Sequence, residues 1–177
     1  MATENIVQSV GQYLFMDKGA QVFAVLDGAS VPDLRMTLYR HQPEHFCLYR
    51  GELAPDMAEV APYLVRLEPE SEFTNWVIDR GWGQHWGIFA ISDADIRALR
   101  RHFRGFLTVH DSNGKPLLFR YYDPRVLRVY VPTCNAEELA TVFGPVMHYI
   151  LEDENPNMAL RFRTASGALR QEKLQLA

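Results

Sequence analysis

Apolar residues recur along the chain with two alternating periods, and the switches between them predict an alternation of helices and strands. Ile6, Val7, Val10, Leu14 and Phe15 fall at helical spacing within 4–17 and stop before Lys18-Gly19. Residues 21–26 read as a core strand ended by Asp27-Gly28, and 32–41 as a helix with Leu34, Leu38 and Tyr39 inward. A short strand at 46–49, a helical turn at 55–60 and a strand at 63–67 follow. Ser71 then caps a helix through Phe73, Trp76 and Val77 that ends at Gly81. Residues 85–91 form a further strand, with Trp86, Ile88 and Ala90 on one face.

The stretch from Ser92 to Arg125 carries the densest signals. Ser92 is an N-cap type with Asp95 in the capping-box position, and Ile96, Leu99 and Phe103 mark a buried stripe. Arg97, Arg101 and Arg104 share a neighbouring stripe, and cations suit the negative end of a helix dipole. Residues 106–111 and 116–122 flank Asn113-Gly114, which predicts a central hairpin with a two-residue type I′ turn. That register sets His110 opposite Leu117 and Leu107 opposite Arg120, with both faces largely apolar and covered. Arg120 is then a charge on an apolar face and needs a partner, for which Asp27 and Asp123 are the candidates. Asp123-Pro124 reads as an N-cap with proline at the first helical position.

Residues 136–143 form a helix closed by Gly144-Pro145. Residues 147–152 are a strand or short helix, and 157–164 and 168–176 flank a terminal hairpin at Ala165-Ser166-Gly167. The fold class is α/β, a mixed β-sheet layered with helices. At 177 residues the chain is expected to form one domain with a core that needs neither disulfide nor metal.

Composition narrows the chemistry. The net charge is −4, which argues against a nucleic-acid surface, and Cys47 and Cys134 stand outside any ligand or disulfide spacing. The amino terminus lacks a signal-peptide pattern and no apolar run reaches membrane-spanning length, so a cytoplasmic protein without a membrane partner is expected. His41 and His45 are four apart with Pro43 between them, and His85, His102, His110 and His148 form no ligand pair. No phosphate loop or nucleophile elbow occurs, and neither a metal nor a cofactor is expected. Ser92 reads as a cap in preference to a nucleophile with His85 or His102 as base. Phosphoryl transfer by His102, Arg104 and Arg120, with Asp123, stays as an alternative, because arginine clamps and a histidine suit that chemistry.

A string of short segments resembles a known family. They are Ala24-Val25-Leu26-Asp27-Gly28-Ala29, Leu48-Tyr49-Arg50-Gly51-Glu52, Ala61-Pro62-Tyr63-Leu64-Val65, His85-Trp86-Gly87-Ile88-Phe89 and Leu99-Arg100-Arg101-His102-Phe103-Arg104. Phe119-Arg120-Tyr121-Tyr122-Asp123-Pro124-Arg125-Val126-Leu127 and Phe143-Gly144-Pro145 complete the order. Together, over 22–152, they are similar to the domain-of-unknown-function family associated with type VI secretion effector adaptors, the Tap or TEC chaperones.

The resemblance implies a non-catalytic bacterial adaptor that binds a cognate toxic effector and hands it to the VgrG spike. It makes 1–177 a single adaptor domain with a core at about 20–152, and 153–177 a C-terminal extension in place of a larger variable lobe. Asp27, Gly28, His85, Trp86, Arg120, Asp123, Pro124, Gly144 and Pro145 are the structural residues of the motif string. Arg97, Arg101, Arg104, Tyr122 and Arg125 are the expected partner surface, with Tyr39 and Trp82 as further aromatic anchors. An immunity-type protein that blocks a toxin is the remaining alternative.

Overall fold

A computed structural model of the chain describes residues 2–176. In chain order the elements are α1 (Ala2–Leu14), β1 (Gln21–Asp27), α2 (Leu34–His41), β2 (His45–Cys47), α3 (Pro55–Val60), β3 (Pro62–Leu67), α4 (Glu72–Gly81) and β4 (Gly87–Ser92). They continue with α5 (Ile96–Gly105), β5 (Thr108–His110), β6 (Pro116–Leu118), α6 (Pro124–Tyr130), α7 (Ala136–Phe143), β7 (His148–Glu152), β8 (Met158–Ala165) and β9 (Ala168–Gln175). The expected bounds 1–177 include Met1 and Ala177, which lie outside the described residues.

Seven strands form one sheet in the order β2-β3-β1-β4-β7-β8-β9. The class is α/β, but the sheet is antiparallel throughout rather than mixed. Helical crossovers explain the difference. The chain passes from β1 through α2 to β2, and from β3 through α4 to β4, and each crossover joins strands running the same way. In both cases a third strand is inserted between them: β3 in the first and β1 in the second. Alternating helices and strands therefore do not produce a parallel pair here.

Both faces of the sheet are covered, so β1 and β4 are almost wholly apolar and buried. On one face Val10, Leu14, Leu34, Leu38, Phe73 and Val77 of α1, α2 and α4 pack against the sheet. On the other, Leu99 and Phe103 of α5 pack with Tyr121, Leu127, Leu139 and Phe143. Two glycines permit close backbone approach. A Cβ at Gly28 would lie 2.4 Å from the carbonyl oxygen of Ala61, and one at Gly87 would lie 2.2 Å from that of Val25.

The central two-residue Asn113-Gly114 hairpin is not found. β5 and β6 pair with His110 opposite Pro116 and Thr108 opposite Leu118, and the Asp111 amide donates to the Lys115 carbonyl at 3.0 Å, which leaves Ser112, Asn113 and Gly114 at the tip of the loop. A type I′ turn needs positive φ at both loop residues, and in this loop only Gly114 has it, at 77°. Asp111 is the reason for the wider turn: its Oδ1 accepts from the amides of Asn113 and Lys115 at 2.8 and 2.9 Å. The pair is a separate ribbon whose six strand residues are all exposed, not a covered element. Burial falls instead on Phe106 and Leu107, just before it.

The two-residue turn lies at the other hairpin. Ser166 and Gly167 join β8 to β9 with φ of 52° and 74°. The segment expected as an appended extension is thus part of the sheet. Leu160 and Phe162 of β8 enter one core, and Leu176 enters the other. Among the described residues no helix is long and apolar enough to cross a membrane.

Candidate functional site

Helix α5 begins at Asp95, not at Ser92. Asp95 Oδ1 accepts from the Ala98 amide at 2.8 Å, whereas Ser92 is the fully buried last residue of β4. The Ser92 hydroxyl donates to the Pro145 carbonyl at 2.6 Å and accepts from the Ala94 amide, so it ties β4 to the Gly144-Pro145 turn. Ile96, Leu99 and Phe103 are buried, which turns the arginines of the helix outward.

Those arginines gather over the edge strand β2. Arg104 is half-buried and donates from Nε to the Leu48 carbonyl at 3.1 Å, and from Nη2 to those of Cys47 and Tyr49, both at 2.9 Å. Its guanidinium thus clamps the backbone after β2, and it is not the free surface charge that its stripe predicted. Burial, followed by the charges of Arg100 and Arg50, lowers its pKa. Arg100 lies over the ring of Phe46, 4.6 Å from the centroid. Phe46, Arg50, Arg97, Arg100, Arg101 and Arg104 line one open groove of about 640 Å³, with no carboxylate among them.

Several arginines elsewhere are neutralised: Arg120 by Asp27, Arg125 by Asp123, and Arg161 and Arg163 by Glu172. Among the described residues, Arg50, Arg97, Arg100 and Arg101 have no such partner; Arg40, Arg128 and Arg170 also lack one but stand outside the groove. Phe46, Arg50 and Arg100 were not singled out from the sequence as surface residues. Arg100 is three positions after Arg97 on the same helix, which is a legible signal. The approach of Arg50 and Phe46 depends on the tertiary fold.

Other expected site residues fall into separate structural contacts. Arg120 pairs with Asp27, whose Oδ1 also accepts from the Ala29 amide and whose Oδ2 accepts from the Ser30 hydroxyl. Tyr122 is only 1% exposed, and burial drives its hydroxyl pKa far up, so it belongs to the core and not to a partner surface. Asp123 caps α6 by accepting from the Arg125 amide at 2.9 Å, with Pro124 in the first turn. Arg125 folds back on the same carboxylate, with Nη2 at 2.7 Å from Oδ2. Tyr39 is exposed, but Trp82 is half-buried and donates to the Pro156 carbonyl.

His85 sits in a turn with φ of 60° before β4, and its Nδ1 lies 2.8 Å from Glu152 Oε2. Glu152 is buried, and burial raises its pKa against the lowering effect of His85. Trp86 packs beneath, in contact with Trp76 and against Gly81. His102 is held at 3.0 Å from the Val142 carbonyl and lies against Gly144, where φ is 47°. Its pKa is lowered by burial, partly offset by that carbonyl. His102, Arg104 and Arg120 are thus engaged with three different parts of the fold. Among the described residues, no group of three or more His, Cys, Asp or Glu side chains could hold a metal ion.

A family model described as a domain of unknown function (DUF4123) matches residues 22–141. The match runs from β1 into α7 and takes in the arginine groove, Asp27, Arg120 and Asp123, leaving β7, β8 and β9 beyond it. No curated protein and no solved structure matches the chain.

Proposed function

The chain belongs to the DUF4123 family, a domain of unknown function, and from that membership we propose that it is a bacterial adaptor of type VI secretion. In this reading it binds a cognate toxic effector in the cytoplasm and loads it onto the VgrG spike, without chemistry of its own. The motif string over 22–152 supports the assignment to effector adaptors.

The observation that carries the binding reading is the groove of clustered, unneutralised arginines between α5 and the segment around β2. Leaving several guanidinium groups unpaired side by side is unfavourable for the isolated chain, and an anionic partner relieves it. Arginine beside an aromatic ring is also the composition of interface hot spots. The separate engagement of His102, Arg104 and Arg120 favours binding over phosphoryl transfer by those side chains.

Co-purification tests the proposal. The full chain is incubated with a VgrG spike protein and with separate amino-terminal and toxic domains of a candidate cognate effector. Capture of the spike and of the amino-terminal domain is expected. Capture of the toxic domain alone, with its activity blocked, would make the protein an immunity-type inhibitor instead.

A further inference from the structure

We infer that the arginine groove receives an acidic peptide segment of the bound partner, with its carboxylates held by Arg50, Arg97, Arg100 and Arg101. This deepens the binding reading above and rests on it, since it names the chemistry that the α5 face recognises. Three observations on the groove itself lead there.

First, the positive charge is concentrated and unopposed. The groove lining contains five arginines and no acidic side chain, on a chain whose net charge is −4. The effect of Arg100 and Arg50 on Arg104 shows that these charges are close enough to feel one another. A ligand with several carboxylates relieves that repulsion better than a single anion.

Second, one donor has no acceptor. Arg100 Nε is buried and meets no hydrogen-bond partner within the described residues, a condition shared by Arg128 outside the groove. Its guanidinium is fixed over Phe46, so the fork is presented at one position. A planar guanidinium takes a carboxylate by two parallel hydrogen bonds, which a mobile ammonium does not reproduce. No lysine lines the groove.

Third, the site is built before any ligand arrives. The three carbonyl contacts of Arg104 hold residues 47–49 against α5, and this sets Phe46 and Arg50 opposite Arg97 and Arg101. Arg104 is therefore a positioning residue, and the remaining four arginines are the ligands. A volume of about 640 Å³ accommodates a few side chains of a peptide. A nucleic acid would call for a broad basic stripe with exposed stacking rings, whereas Phe46 lies beneath Arg100 and the chain as a whole is acidic.

Fluorescence anisotropy of the full chain with a fluorescein-labelled peptide of alternating Glu and Ser tests the inference. Parallel arms use a Lys-Ser peptide, a single-stranded DNA of equal length and inorganic phosphate as competitor. The Glu-Ser peptide is expected to bind, and more weakly as salt rises. Arg97→Glu with Arg101→Glu should lower its affinity by about tenfold or more, and Arg97→Gln with Arg101→Gln by less. Arg170→Glu, on exposed β9 outside the groove, should leave it unchanged. A thermal melt of each variant separates loss of binding from loss of fold, and the neutral pair carries the test if the reversed pair unfolds.

The inference is overturned if the Glu-Ser peptide fails to bind or if both arginine pairs leave its affinity unchanged. DNA binding more tightly than the peptide through the same arginines also overturns it, as does full displacement by phosphate at equal concentration. If the peptide fails while spike and effector are still captured, the adaptor reading stands and only the groove's ligand is wrong. If the peptide binds but neither partner is captured, the groove's chemistry stands without the adaptor.

Discussion

Arg120 reaches back across 93 positions of the chain to the carboxylate of Asp27, joining the segment before α6 to the end of the interior strand β1. Asp27 is buried with its side chain only 2% exposed, whereas Arg120 remains 44% exposed. The asymmetry sets the energetics. The guanidinium can turn to water if its partner is lost, but the carboxylate cannot. It would keep only the Ala29 amide and the Ser30 hydroxyl.

Arg120→Ala should therefore destabilise the fold by about 1–3 kcal/mol, below the cost of breaking a fully buried pair, because solvent screens one partner. Urea denaturation of Arg120→Ala, Asp27→Asn and the double variant should reveal a coupling energy of at least about 0.5 kcal/mol. Additive effects would mean that the contact does not stabilise.

Gly28 and Gly51 should respond very differently to alanine. A Cβ at Gly28 would meet backbone oxygens of Ala61 and Glu59 at 2.4 and 2.5 Å, and neither can move without shifting the turn before β3. Gly28→Ala should cost more than about 3 kcal/mol or prevent soluble expression. Gly51 has φ of 80° but open space around it, so Gly51→Ala should cost only about 1–2 kcal/mol, the strain of a left-handed residue. Thermal melts of the two variants side by side decide this.

Stability should carry a histidine-dependent fall toward acid pH. Burial lowers the pKa of His102 and His148 from the usual 6.5, so the unfolded chain takes up these protons first. The contribution of each neutral imidazole is fully present above that value and is lost as pH falls through it toward the lower folded-state value. Glu152, raised by burial, acts in the opposite sense at lower pH, so the comparison must be between variants. His102→Gln should flatten the dependence of the urea midpoint between neutral pH and the onset of carboxylate titration. An unchanged slope would contradict the assignment.

The turn between β8 and β9 offers a gain in place of a loss. Ser166 holds φ of 52° ahead of Gly167, a geometry that asparagine adopts more readily than serine. Ser166→Asn should stabilise the protein by about 0.5 kcal/mol or more, seen as a raised melting temperature. A lower melting temperature would mean that Ser166 makes a contact the turn depends on.

That turn also shows where the sequence was legible and where it was not. Apolar periodicity locates nearly every helix and core strand, and helix α7 falls on 136–143 as read. Asn-Gly misled because Asp111 supplies a side-chain acceptor that widens the loop, a local competition that turn propensity does not include. Strand order was hidden for another reason: the insertion of β3 and β1 into the two crossovers depends on pairings distant in the chain. Ser92 was displaced as the cap of α5 by Asp95, since Ser92 was needed to close the sheet against Pro145. In the groove, the helix arginines were visible by spacing. Which of them is free was decided by the carbonyls of residues 47–49, which take Arg104 and leave its neighbours exposed or half-exposed.

On the proposed reading, the arginine face of α5 is where the chain meets its partners. Quantitative co-purification of the proposed spike and effector partners with the unaltered chain and with Arg97→Glu/Arg101→Glu decides this, with thermal melts confirming that both are folded. The reversed variant should lose at least one partner, and Arg170→Glu should retain both. Equal recovery of both partners by the folded Arg97→Glu/Arg101→Glu protein would rule out the α5 face as the contact surface.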